Sequence, residues 1–179
     1  MKTQILRNID QAFLQFEFAI KLMVYFELNK VDKDEFDRDL TILEEKDNIV
    51  FPDNSFHTYN DLILASQNNV IVCFGVSAIT LDRSLADAGI DRKPDDLSEN
   101  GSLRTLIYMI RCAFAHNMIE PKWDVHIKYK KSIKLNLNNE NLIIDLSQMH
   151  GKGFDYKDIG GVKNWFIIKN LAKKLIIES

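Results

Sequence analysis

Proline is scarce in this chain, three in 179 residues, and glycine is little commoner, with seven. Both residues punctuate regular structure, and a many-turned all-β fold needs more of them, so their shortage favours long helices. Cysteine is rarer still. Cys73 and Cys112 both fall inside apolar helical patterns and form no C-x-x-C pair, which points to two reduced, buried thiols in a cytosolic protein. An excess of charge of one sign is missing as well. With 23 Lys and Arg against 26 Asp and Glu the net charge is −3, which does not suit a protein that holds nucleic acid by bulk electrostatics. Any nucleic-acid role must rest on a local site. Long apolar runs are also missing: the most apolar window, NNVIVCFGVSAITL at 68–81, is about a dozen residues between polar flanks, too short to span a bilayer. The first residues, MKTQILRNIDQAF, carry charges and offer no small-residue cleavage site, so they do not read as a signal peptide. No membrane association is expected, and the chain reads as cytoplasmic.

Several chemical signatures are absent too. His57, His116, His126 and His150 lack metal-ligand spacing, and no metal or other cofactor is expected. Neither G-x-S-x-G nor G-x-G-x-x-G occurs. HGKGF, at 150–154, lacks the rest of a phosphate loop and reads as a flexible glycine-rich turn.

What is present is apolar periodicity. Ile5, Ile9, Ala12, Phe13, Phe16, Ile20, Met23 and Phe26 keep a 3.6-residue period and predict a helix over 4–29, with Glu17 and Lys21 as a surface i,i+4 pair. A short helix is expected near 33–40, then an irregular link with one strand at 48–51. Thr58 and Asp61 resemble a capping box that opens a helix over 58–88, and Gly89 suits its C′ position. The small residues Gly75-Val76-Ser77-Ala78 mid-helix imply close approach of another helix. After a loop at 90–100, a third helix is expected over 101–119, stopped by Pro121. The period then changes to two. Val125, Ile127 and Tyr129, then Ile133, Leu135 and Leu137, then Leu142, Ile144 and Leu146 predict a three-stranded antiparallel meander over about 123–147, with a turn at 138–141. Residues 148–161 read as a loop. The last helix, about 161–178, carries Trp165, Ile168, Leu171 and Leu175 on one face. The expected architecture is mainly α, a single domain over 1–179: a helical bundle with a small meander before the C-terminal helix. Lys128, Lys130 and Lys134, with Tyr129 between, could track an RNA backbone but read better as the solvated face of that meander.

The third helix ends in RCAFAHN, Arg111 to Asn117. Leu103, Ile107, Ile110 and Phe114 form the core stripe of its wheel. Arg104, Tyr108 and Arg111 form a ridge beside it, while His116 lies about 140° from Arg111. On one regular helix the two would not face each other.

An arginine, a few intervening residues and a histidine near the end of a bundle helix resemble the motif of HEPN-domain proteins. Arg111 matches the arginine and His116 the histidine. Cys112 departs from the family pattern, since active members usually carry a polar residue, often Asn, after the arginine. The resemblance implies an α-helical centre, homodimerisation through the motif-bearing helices, and metal-independent RNA cleavage in a cleft lined by two motif copies. It implies that His116 abstracts the 2′-hydroxyl proton or protonates the leaving 5′-oxygen, a task that suits the near-neutral titration of imidazole. Arg111 would stabilise charge on the phosphate, and the products would carry a 2′,3′-cyclic phosphate. Arg104, Tyr108 and Asn117 would contact RNA. A regulatory protein partner would fit the family's place in defence and toxin–antitoxin systems. The alternative is a non-catalytic helical module that dimerises or docks a partner.

Overall fold

The computed structural model describes residues 2–43, 48–137 and 140–179. Among them the chain is mainly helical, with five helices and two small antiparallel sheets. The helices are α1 (Lys2–Glu27), α2 (Lys33–Phe36), α3 (Tyr59–Asp87), α4 (Glu99–Ala115) and α5 (Val162–Glu178). The strands are β1 (Leu40–Leu43), β2 (Asn48–Phe51), β3 (Ser132–Leu137) and β4 (Glu140–Asp145). The chain divides into two compact units, one comprising the residues up to Phe16 with Ile71–Ser179, the other Glu17–Val70.

In the larger unit the core is aromatic. Phe74 lies 5.4 Å from Phe16 and 4.9 Å from Trp165, ring centre to ring centre. Trp165 donates its indole N–H to Ser77 Oγ at 2.8 Å, and Ser77 in turn donates to the carbonyl of Phe74. The indole N–H and the serine hydroxyl are thereby satisfied. The close approach implied by Gly75-Val76-Ser77-Ala78 occurs here. A Cβ on Gly75 would stand 2.6 Å from Phe114 Cδ1. Phe74, Ala78, Leu81 and Leu85 are fully buried. The apolar window at 68–81 is thus part of a longer element. Helix α3 has 29 residues, and an 18-residue window of it has a mean hydropathy of 1.7, long and apolar enough to cross a membrane by length and composition alone. The fully buried Phe74, Ala78, Leu81 and Leu85 mark its part from Ile71 onward as a core helix of this unit.

Ser98 caps α4 by accepting from the Gly101 amide at 3.1 Å, as a short hydroxyl at the N-cap does. The far end comes four residues earlier than the apolar period implies, at Ala115. Asn117 explains this: its Oδ1 takes the amides of Ile119 and Glu120 at 2.9 and 3.0 Å, forming a turn where helical bonds would continue.

Among the described residues the three-stranded meander is not formed. Strands β3 and β4 pair as expected, Ile133 opposite Ile144 and Leu135 opposite Leu142. Ile133, Leu135 and Leu137 face inward. Asn138 and Asn139 of the expected turn lie outside the described residues. Among the described residues no third strand joins this pair. Val125 and Tyr129 are buried, but Ile127 between them is 86% exposed and starts a 3-10 turn, Ile127–Tyr129. Two buried residues four apart satisfy that turn as well as they satisfy a strand. Leu146 likewise leaves β4 for a 3-10 turn, Leu146–Gln148, capped by Asp145, whose Oδ1 accepts the Ser147 amide at 3.0 Å. On α5 the buried stripe is Trp165, Ile168, Ala172 and Ile176, while Leu171 and Leu175 are half-buried.

In the smaller unit the Thr58–Asp61 capping box is present, at 2.7 and 3.3 Å. The Glu17–Lys21 ion pair is present at 2.6 Å. Strand β2, expected at 48–51, pairs with β1 in a segment whose sequence predicts an irregular link.

Candidate functional site

The ridge on α4 separates into members with different duties. Arg104 is 2% exposed. Its Nη1 donates to Asp82 Oδ1 at 2.5 Å and its Nε to the Ile90 carbonyl at 3.0 Å, so it ties α4 to α3 and the following loop. A guanidinium so enclosed cannot reach RNA, which corrects the expectation for Arg104. Tyr108 is half-buried. Arg92 covers its ring at 4.3 Å, and Tyr129 meets it edge-on at 5.3 Å. Burial raises the Tyr108 hydroxyl above the usual phenol value. The ring packs against these two groups. Asn117 is exposed, but its carbonyl oxygen is spent on the turn described above.

Arg111 is half-buried beside the Cys112 thiol. Burial pushes that thiol up, partly offset by Tyr108 and Arg111, so Cys112 stays a neutral packing group. His116 is the residue after the last turn of α4 and is 83% exposed at its side chain. It lines an open pocket of about 230 Å³ together with Asn117, Glu120, Lys122, Asp124 and His150. Arg111 is not in that lining. Within one chain the structure therefore does not bring Arg111 and His116 to a common pocket.

The pocket is built by two segments that bridge each other. Trp123 donates its amide to Lys152 O at 2.8 Å, Gly151 donates to Trp123 O at 2.8 Å, and Phe154 donates to Pro121 O at 2.9 Å. The Lys122 amide reaches back to the Ala113 carbonyl at the end of α4. The Trp123 indole is anchored on Asp158 at 2.8 Å. This small ladder holds Asp124 between two imidazoles. His116 Nε2 is 3.7 Å from Asp124 Oδ2, and His150 Nδ1 is 3.7 Å from Asp124 Oδ1. His150 Nδ1 also accepts the Val125 amide at 3.1 Å. An imidazole poised on a carboxylate, with a lysine on the same wall, can move a proton beside a bound anion. Among the described residues no three His, Cys, Asp or Glu side chains converge on a point that could hold a metal ion.

Asp124, Lys122 and His150 did not stand out from the sequence. The 148–161 stretch reads as flexible because of its glycines, yet two of them sit in the bridge that frames the pocket. Trp123, an isolated aromatic just past Pro121, is the one local sign that this segment packs.

A second, apolar pocket of about 390 Å³ adjoins the first, sharing Glu120 and Lys122 and walled by Phe114, Ile119, Phe154 and Tyr156. Burial pushes the Tyr156 hydroxyl up to about 12, and no hydrogen-bond partner meets it among the described residues.

No family model, no curated protein and no solved structure matches the chain.

Proposed function

We propose that the chain is a cytoplasmic, HEPN-like, metal-independent endoribonuclease that works as a homodimer. The observation that supports this reading is His116. The motif histidine ends α4 at the rim of an open pocket, with Asp124 at 3.7 Å and Lys122 on the same lining. Asp124 orients the imidazole, Lys122 attracts the phosphodiester, and His116 accepts the proton of the 2′-hydroxyl. The 2′-oxygen bonds to phosphorus as the P–O5′ bond breaks. The departing 5′-oxygen takes a proton from water, and His116 returns its own to solvent. The products are a 2′,3′-cyclic phosphate and a 5′-hydroxyl. Since Arg111 lies outside the His116 pocket of its own chain, the reading needs Arg111 of the second copy to reach the phosphate.

The second reading is a non-catalytic dimerisation or docking module. Cys112 favours it, because a buried neutral thiol stands where active relatives of the motif carry a polar side chain.

RNA cleavage in EDTA by the wild type, Arg111→Ala and His116→Ala, with the oligomeric state measured on the same samples, separates the two. The ribonuclease reading expects both variants to be folded, dimeric and inactive. It also expects a mixture of the two variants to regain part of the activity through hybrid dimers. Intact RNA in every sample, from a protein that still dimerises, would leave the docking module.

A further inference from the structure

His150 is fixed in a way that His116 is not. Its Nδ1 accepts the amide of Val125, a residue only 2% exposed, at 3.1 Å. A ring nitrogen that accepts carries no proton, so the neutral ring holds its proton on Nε2. The 3.7 Å approach of the same Nδ1 to Asp124 is then no ion pair, since two acceptors face each other there. Across its other oxygen the carboxylate faces His116 Nε2, also at 3.7 Å. Turning the His150 ring over would strand the Val125 amide, and the neighbouring bonds between Trp123 and Gly151–Lys152 hold that amide in place.

We propose that His150 is the phosphate-binding donor of this pocket. Its Nε2–H donates to a non-bridging oxygen of the RNA phosphodiester while His116 moves the proton. The proposal rests on the reading of the pocket as a site of RNA cleavage. Each imidazole has a nitrogen 3.7 Å from a different oxygen of Asp124. Asp124 thus joins the two rings on the pocket wall, and Nε2 is the nitrogen of His150 that has no partner among the described residues. Lys122 supplies the cation, and Glu120 and Asp124 are the carboxylates on the same lining. Nothing leaves His150 during the reaction. The bond formed is O2′–P, the bond broken is P–O5′, and the proton passes from the 2′-oxygen to His116. A preorganised donor aimed at developing negative charge stabilises the transition state more than the substrate.

The test compares the wild type, His116→Ala, His150→Ala and His150→Gln on one RNA oligonucleotide in EDTA. In parallel, inorganic phosphate is titrated into ¹⁵N-histidine-labelled protein and followed by NMR. The expected result is loss of activity in His116→Ala. In His150→Ala, kcat falls about a hundredfold with KM little changed. His150→Gln recovers part of that loss, because its amide also donates. The free protein should show His150 with an unprotonated Nδ1, and phosphate should shift its Nε2 resonance. Trp123 fluorescence reports whether each variant keeps the bridged frame. If His150→Ala cleaves like the wild type while His116→Ala is dead, the role of His150 is overturned and the acid–base reading stands. If no sample cleaves, the ribonuclease reading fails, and the titration alone decides for His150. A ring indifferent to phosphate, or protonated on Nδ1, overturns the proposal.

Discussion

Arg104→Ala is expected to destabilise the protein severely, and for a reason that can be traced bond by bond. The guanidinium donates to Asp82 Oδ1 at 2.5 Å, to Asp82 O at 3.4 Å and to Ile90 O at 3.0 Å. The Asp82 side chain is 11% exposed, and that of Arg104 is 3% exposed. Removing the arginine leaves a carboxylate and a carbonyl without their donor in a place water barely reaches. Breaking a buried pair on one side costs about 3–5 kcal/mol, far more than the pair contributes relative to an apolar replacement. For a chain of this size that corresponds to a fall in Tm of about 10 °C. Thermal unfolding followed by circular dichroism measures it. The double variant Arg104→Met with Asp82→Leu should recover much of the loss, since no unpaired charge remains. A surface arginine that only touched RNA would behave in the opposite way, with nucleic-acid affinity lost at unchanged Tm. If Arg104→Ala melts within about 2 °C of the wild type, far short of the expected fall, the assignment of Arg104 to the buried frame is refuted.

Gly75→Ala sets a methyl 2.6 Å from Phe114 Cδ1 and 3.2 Å from its Cγ, so the ring must move in a packed core. The expected cost is about 1–3 kcal/mol by urea unfolding, and a neutral result would mean that α3 and α4 can part there. Asp10 is held below the usual carboxylate range by hydrogen bonds from Lys169 and then Lys173. A depressed folded-state pKa adds stability above the unfolded value, 3.8, and loses it as pH falls through and below that value. Because Asp10 is half exposed, Asp10→Asn should cost less than about 1 kcal/mol at pH 7, and the difference should vanish in unfolding curves measured near pH 2. Burial raises both thiols, Cys73 and Cys112. Alkylation at pH 8 should therefore be slow at both sites in native protein and fast in urea, read by mass spectrometry; rapid labelling of Cys112 before unfolding would contradict its place in the core.

Long-period features of the fold were legible in the sequence, and short-period ones only in part. Helix α1 buries one stripe, so Ile9, Phe13 and Phe16 declare themselves by spacing alone, whereas α4 is buried nearly all round and Leu103, Ile107 and Ile110 are only part of what it buries. The capping box at Thr58 and the strand pair of Ile133 with Ile144 are equally local. Where the helix ends is a different matter. Asn117 competes for amides that the apolar period assigns to α4, and periodicity carries no information about that competition. The same holds for Arg104 and Tyr108. A wheel places them beside Arg111, but only the positions of Asp82, Ile90, Arg92 and Tyr129 show that their polar atoms and faces are already taken.

The part of the candidate site that the sequence hid has one cause. Val125 has a single amide hydrogen. Had residues 125–129 formed a strand on β3, that hydrogen would have entered a ladder. Instead it goes to His150 Nδ1 at 3.1 Å. An amide hydrogen given to the imidazole is not available to a strand partner. The alternation of Val125, Ile127 and Tyr129 argued for the ladder. Nothing periodic argued for a histidine 25 residues away, because contacts of that range are settled by which segments meet and not by local pattern. His116 is legible since it shares a helix with Arg111. Asp124 and His150 become visible only once the 121–125 and 149–154 segments are seen to bridge.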